Sequence, residues 1–331
     1  MKIDIFCHII PPKYAEAAQR LSPAGPSIRD HIEELPTLNN WEHRFRIMDR
    51  YRDYMQVLTI ATFHQVAYGK EAVELAKIAN DEMAELVLKY PERFVAGVAV
   101  LPLNDLDAAL VEADRAIKDL KLRGVEIWAH RDGKPIDLPE FMPLYEKMSQ
   151  YNLPIFIHPM RGPAGGDYSC EKESKYRIYS TFGWPYDTTV AMTRLVFSCV
   201  LEKYPNLKFV THHCGAMVPF FADRIVSHCN YSEMRRVKEK HHQGLTKEPI
   251  EYFRMFYNDT ALNGGTSSLM CAYDFFGAEH LLFGTDLPYD SQLGNLSIGK
   301  TIEAIEGMAI ADSDKKKIFE ENARRLMRLP V

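Results

Sequence analysis

Four short runs of the chain end on a side chain that can bind a metal or move a proton. Ile3-Asp4-Ile5-Phe6-Cys7 leads to His8, and Ile155-Phe156-Ile157 leads to His158. Phe209-Val210-Thr211-His212 leads to His213, and Leu282-Phe283-Gly284-Thr285 leads to Asp286. Imidazole nitrogen combined with carboxylate oxygen suits zinc, manganese or iron. A metal held by few protein ligands keeps a position open for water or substrate, and a carboxylate beside it can carry protons. Singly, each residue has a duller reading. A His at a strand end often only completes a hydrogen bond, and an Asp after Gly-Thr often caps a helix. Their weight comes from standing at the same end of different strands, provided the fold gathers those ends.

The elements that would gather them are legible. Strands are expected over Ile3–Cys7, Met55–Ala61, Val95–Leu101, Gly124–Ile127, Pro154–His158, Lys208–His212, Arg254–Asn258 and Leu281–Gly284. These runs are continuously apolar rather than alternating, as parallel strands covered on both faces require. Between them lie amphipathic stretches. Glu71–Lys89 carries Val73, Ala76, Ile78, Met83, Leu86 and Val87 at helical spacing, and Asp105–Asp119 opens on an Asp suited to an N-cap. Leu138–Tyr151, Thr188–Lys203, Ser267–Phe276, Ile298–Met308 and Asp312–Met327 read the same way. The alternation runs without a break in composition, which predicts one α/β domain over 1–331, a (β/α)8 TIM barrel. A doubly wound open sheet would want a glycine fingerprint after its first strand, and none is present. Three stretches, Ile9–Asn40, Met160–Asp187 and Ser227–Glu251, are too long for plain connectors and are expected to cover the catalytic mouth.

Composition narrows the classes. The chain has 331 residues, 46% hydrophobic and 26% charged, with a net charge of −5, enough to bury a large core. There is no basic cluster, so a nucleic-acid partner is not expected. No apolar stretch is long enough to span a bilayer, so no membrane partner is expected either. None of the six cysteines forms a CxxC pair, which argues against a zinc ribbon or a redox motif. Scattered cysteines, with Asp4 breaking any leader-like apolar run, point to the cytoplasm.

The motifs together resemble the amidohydrolase superfamily, in particular its aminocarboxymuconate-semialdehyde decarboxylase-like branch, which also holds hydroxybenzoate decarboxylases. The resemblance rests on Ile3–Pro11, Arg46-Ile47-Met48-Asp49-Arg50 with Gln56-Val57-Leu58, Pro91-Glu92-Arg93-Phe94 and Gly124-Val125-Glu126-Ile127. It continues through His158-Pro159, Tyr204-Pro205-Asn206-Leu207-Lys208, His213-Cys214-Gly215 and Gly284-Thr285-Asp286-Leu287-Pro288. By resemblance, His8, His158 and Asp286 are metal ligands, Asp286 also shuttles a proton, and His213 sits by the metal and orients or deprotonates its water. Arg224 would reach the neighbouring subunit's site to hold a substrate carboxylate, implying a homodimer or higher homo-oligomer.

One position departs from the family. The first histidine of the first-strand HxH motif, a glutamate in some decarboxylases, is Phe6 here. Three ligands remain, enough for a catalytic site of the three-ligand type, with zinc expected first and manganese second. The other outcome is a site that has lost its metal and works through His and Asp alone. His212, next to His213, is expected on the opposite side of its strand in a structural role. Trp184, Tyr186, Tyr168, Arg161 and Arg177 in the insertion, with Phe6 and Trp128 as aromatic walls, would suit a planar small-molecule carboxylic acid. The expected activity is therefore metal-dependent, non-oxidative decarboxylation of an aromatic or unsaturated carboxylic acid. The alternatives are a hydrolase or hydratase of the same superfamily acting on a lactone, amide or C–C bond, and a barrel that has lost catalysis and only binds.

Overall fold

The apolar runs become parallel strands that close on themselves. The computed structural model describes residues 1–22, 27–63, 69–131, 133–234 and 244–330. Strands β1 (Lys2–Ile9), β2 (Tyr54–Ile60) and β3 (Phe94–Gly97) pair in that order. A second sheet pairs β4 (Ala99–Val100), β5 (Val125–Trp128), β8 (Pro154–His158), β9 (Lys208–Thr211) and β10 (Tyr257–Asn258). A small antiparallel hairpin, β6 (His130–Arg131) with β7 (Lys134–Pro135), follows β5. Strands β3 and β4 are two pieces of one barrel strand. Between them Val98 N–H donates to Leu58 O at 2.9 Å and keeps the sheets continuous.

The eighth barrel position differs from expectation. Leu281–Gly284 is extended but forms no regular ladder; single bridges, Asn258↔Leu281 and Cys7↔Leu287, join the segment to its neighbours. Ile5 N–H donates to Phe283 O at 2.9 Å and His8 N–H to Leu287 O at 2.8 Å, so the barrel closes here. Gly284 is needed for that closure. A Cβ on it would lie 2.9 Å from Asp259 Cβ and 3.3 Å from Ile5 Cγ1. The seventh strand is also shorter than expected, because the helix Pro249–Phe253, with a Glu248/Glu251 capping box, occupies the approach to Arg254.

Both faces of the strands are buried, which is why their sequences do not alternate. Ile3, Ile5, Phe6, Met55, Val57, Phe156, Val210 and Leu282 fill the barrel interior, and a larger layer packs between strands and helices. Strand β1 carries an irregularity that matters. Its register with β2 shifts between Asp4↔Gln56 and Cys7↔Leu58, a bulge of one residue. Ile5 and Phe6 therefore both join the interior, and the parity of the strand flips. Asp4 and Cys7 lie on the outer side, while His8 pairs with Thr59 toward the inside.

The helices follow the amphipathic stretches. Glu71–Lys89 is helical throughout, and Asp105 caps Leu106–Lys118 by accepting from Ala108 N at 3.0 Å. The expected Thr188–Lys203 helix starts earlier and is split into Gly183–Phe197 and Val200–Lys203 at Cys199, whose φ is +62°. The first long insertion holds the helices Pro12–Leu21 and Ile28–Glu34, and the third begins inside the helix Ala222–Met234. Of these insertions, residues 23–26 and 235–243 lie outside the described residues, as does 331. Among the described residues, no helix is long and apolar enough to cross a membrane.

Candidate active site

Four elements deliver side chains to the mouth of the barrel: β1 brings His8, β8 brings His158, the residue after β9 is His212, and the closing segment brings Asp286. His8 Nε2 lies 3.0 Å from Asp286 Oδ1, and His212 Nε2 lies 3.3 Å from the same oxygen. His158 Nδ1 is 2.6 Å from Pro159 O. A carbonyl only accepts, so Nδ1 carries the proton and Nε2 is the ring's acceptor. His8 Nδ1 is 3.1 Å from Thr59 Oγ1, which fixes that ring. The ring centroids of His8 and His158 are 5.5 Å apart, and those of His158 and His212 are 5.2 Å apart.

This arrangement corrects the expectation for the sixth strand. His212 faces the barrel interior rather than the opposite side of the strand. Its Nδ1 hydrogen-bonds the buried carboxylate of Asp259, and its other nitrogen faces Asp286. Asp259 is itself held by the N–H groups of Cys214 and Ala261, each at 3.0 Å. The parity argument fails because Val210 is the interior residue of β9, so His212, two positions on, also faces inward. His213 has already left the strand, with φ of +56°, and stacks on Trp184 at 6.1 Å. Asp286 also has a positive φ, +60°, an uncommon conformation for a non-glycine residue that clusters at functional sites.

Charge is distributed unevenly across the cluster. Burial works against a charge on His212, but Asp259 and Asp286 outweigh it and raise its pKa to about 10. Burial, followed by the His212 charge, lowers His213 to about 4. Burial would raise Asp286, yet His212 and His8 hold it well below the usual carboxylate range. Burial lowers His8, with Asp286 pulling the other way. Without a bound ion, these directions favour a cationic His212, an anionic Asp286 and neutral His8 and His213 at neutral pH.

A cavity of about 1040 Å³ opens above these groups, and His8, His158 and Asp286 line it. Trp184, Trp128, Arg161 and Arg177 line it as well. Trp184 is fixed by donating from Nε1 to Arg161 O at 2.8 Å. Phe6 does not form a wall of the cavity. It is fully buried beneath the histidines and stacks on His212 at 4.1 Å. Tyr168 and Tyr186 are exposed and do not line the cavity. Arg224 is exposed on the helix Ala222–Met234 and is not part of its own chain's cavity. Two acids escaped the sequence reading. Asp259 follows an apolar strand as the others do, and Glu126 interrupts the apolar run of β5, so both signals were present.

The donors suit a divalent ion. Ligand atoms of His8, His158 and His212 lie within 4.8 Å of one another, as do those of His212, His213 and Asp286. His8 Nε2, His212 Nε2 and His213 Nδ1 are buried with no aligned hydrogen-bond partner among the described residues, although the first two approach Asp286 Oδ1. Buried polar atoms left open in this way are what a metal-binding cluster presents when its donors face the ion rather than each other.

The model of the amidohydrolase family matches residues 3–329. A gamma-resorcylate decarboxylase of Rhizobium sp. (strain MTP-10005) is 30% identical, covering 91% of this chain and 91% of that protein. The 2-amino-3-carboxymuconate-6-semialdehyde decarboxylase of Dictyostelium discoideum is 26% identical, covering 99% of this chain and 92% of that protein. Among solved structures, the dihydroxybenzoic acid decarboxylase from Polaromonas sp. JS666, with bound manganese and the inhibitor 2-nitroresorcinol, superposes with a TM-score of 0.75. It is 27% identical and covers 99% of this chain and 96% of its own.

Proposed function

The chain belongs to the amidohydrolase family, and from that membership and the geometry of its mouth we propose that it is a metal-dependent, non-oxidative decarboxylase of an aromatic or unsaturated carboxylic acid. The observation that carries the reading is the convergence of His8, His158 and Asp286 on one cavity that also holds Arg161 and Arg177, with His212 buried against Asp286 behind them. His8, His158 and Asp286 would hold the ion, manganese or zinc, with His212 beside them and Phe6 closing the position of the missing ligand. When bound, the ion supplies a Lewis acid that polarises the substrate's carboxylate or a neighbouring hydroxyl.

The remaining work falls to the chain's own residues. Arg161 and Arg177 are planar cations suited to a carboxylate, and Trp184 and Trp128 offer faces for a planar ring. When the C–C bond to the carboxylate breaks, CO₂ departs and the electron pair stays on the carbon. That carbon must then receive a proton. Asp286 is ionised at rest, so the proton comes from His212, passes from Nε2 to Asp286 and goes on to carbon. Asp259 keeps His212 in the required tautomer and stabilises its cation, which regains its proton from water after each turnover. His213, lowered by burial and the His212 charge, is the poorer proton source at physiological pH. In a homodimer, Arg224 would extend from its exposed helix toward the partner's mouth.

The test is release of CO₂ from a panel of ortho-hydroxylated aromatic acids by the manganese- or zinc-supplemented enzyme. Release from at least one acid, abolished in His212→Asn and Asp286→Asn while His213→Asn keeps activity, is expected. Turnover that survives His212→Asn and is lost in His213→Asn would assign the proton route the other way.

A further inference from the structure

Glu126 takes no part in the mechanism above, yet it is the most unusual acid of the barrel. It is 1% exposed, lies in the middle of β5, and its Oε2 has no hydrogen-bond partner. Its register partner on β8 is Phe156, which packs against Phe6 in the barrel interior. Glu126 therefore points inward, two residues below Trp128, whose own partner is His158. It is among the residues that line the cavity, together with His8, His158 and Asp286.

A carboxyl cut off from water with an open oxygen is rare, because its lost hydration goes uncompensated. Among the described residues nothing compensates Oε2, and the open space beside Glu126 is the cavity. A ligand in that cavity is placed to supply the missing partner. We propose that Glu126 is a specificity-determining residue, which hydrogen-bonds an O–H or N–H group carried on the ring of the substrate acid. This rests on the decarboxylase reading for the identity of the substrate as an acid. Burial pushes Glu126 up to about 8, against the pull of His212, so at neutral pH it is mostly protonated and can donate as well as accept. A ring hydroxyl offers both roles, and a ring N–H offers a donor.

A site built to hydrogen-bond a polar group rejects the analogue that lacks it, because its own buried group stays unpaired. The experiment measures dissociation constants on the manganese-supplemented enzyme, by calorimetry or tryptophan fluorescence, so that turnover is not required. The probes are 2-, 3- and 4-hydroxybenzoate against benzoate, and pyrrole-2-carboxylate against furan-2-carboxylate. The wild type should prefer at least one polar-bearing acid over its matched analogue by about a hundredfold. Glu126→Leu should shrink that preference to within about threefold by weakening only the polar-bearing acid, and Glu126→Gln should keep part of it. The ligand-free Glu126→Leu protein should melt at or above the wild-type midpoint, since an unpaired buried acid has been replaced by an apolar group. A preference unchanged in both variants overturns the assignment. So does a lower midpoint in Glu126→Leu with the preference unchanged in Glu126→Gln, which would make the residue structural. Binding that follows these expectations without CO₂ release would remove the decarboxylase reading and leave the role of Glu126 intact.

Discussion

Two buried polar clusters meet on β1, one on each side of the strand, and they are built on opposite principles. The outer one gathers Asp4, Tyr54, Gln56, Thr285 and Arg44. Asp4 accepts from Thr285 N at 3.0 Å, Thr285 Oγ1 at 2.5 Å and Tyr54 OH at 2.6 Å. Gln56 donates to Tyr54 OH at 3.0 Å and accepts from Arg44 Nε at 2.7 Å. Arg44 Nη1 donates to His8 O at 2.8 Å and to Thr37 O at 3.2 Å. Apart from Arg44 Nη2, this network is closed. The inner cluster is as deeply buried but open, with ring nitrogens of His8, His212 and His213 and an oxygen of Glu126 unpartnered. A closed network fixes structure, and an open one is held in readiness for something that is not protein. The bulge in β1 lets one strand serve both, because it turns Asp4 outward and His8, four residues later, inward.

Substitutions should separate the two. The largest effect is expected from Asp286→Asn, which removes the proton carrier and should lower turnover by roughly two to four orders of magnitude. The fold should persist, because Asp259 still balances the charge on His212, and steady-state CO₂ release beside chemical unfolding reads both. In the outer cluster the pattern reverses. Arg44→Met leaves Gln56 Oε1 and two carbonyls without their donor inside the core, and should cost about 3 kcal/mol in urea unfolding. The folded fraction should keep most of its turnover. Between them stands Asp259→Asn, which keeps the shape but not the charge behind His212. It should reduce activity by about 10- to 100-fold.

The most gradual effect is a pH slope. Glu126 is raised in the fold from 4.5 to about 8, so the folded chain binds its proton more tightly than the unfolded chain. Stability from this group is thus fully present below pH 4.5 and is lost as pH rises toward 8. The slope is at most about 1.4 kcal/mol per pH unit. Glu126→Gln should remove it, and a midpoint-against-pH series on both proteins checks the sign.

Much of this was readable from the sequence, for reasons that also explain the misses. His8, His158 and Asp286 each follow an apolar run and stand where parallel strands release the chain, so type and place agreed. His212 was assigned to the wrong side because β9 is apolar on both faces. A strand buried on both sides gives no marker of which parity faces the barrel axis. The same ambiguity hid the bulge in β1, since Ile5 and Phe6 look alike to a pattern reading. Phe6 was read as a cavity wall because it is an aromatic residue two positions before His8 on the same strand. Only packing shows that His212 lies over it. The weak eighth strand escaped because Gly284 and its close neighbours interrupt the ladder while backbone bonds to Ile5 and His8 still close the barrel.

The central claim is that the open cluster is open for a metal and works only with it. Manganese titrated into chelator-treated protein, with CO₂ release from an accepted aromatic acid followed at each step, tests this most directly. The account predicts release that rises with bound manganese and saturates near one ion per chain, and is absent throughout in Asp286→Asn. Full release from metal-stripped protein, or saturable manganese binding unchanged by loss of His8 and His158, would contradict it.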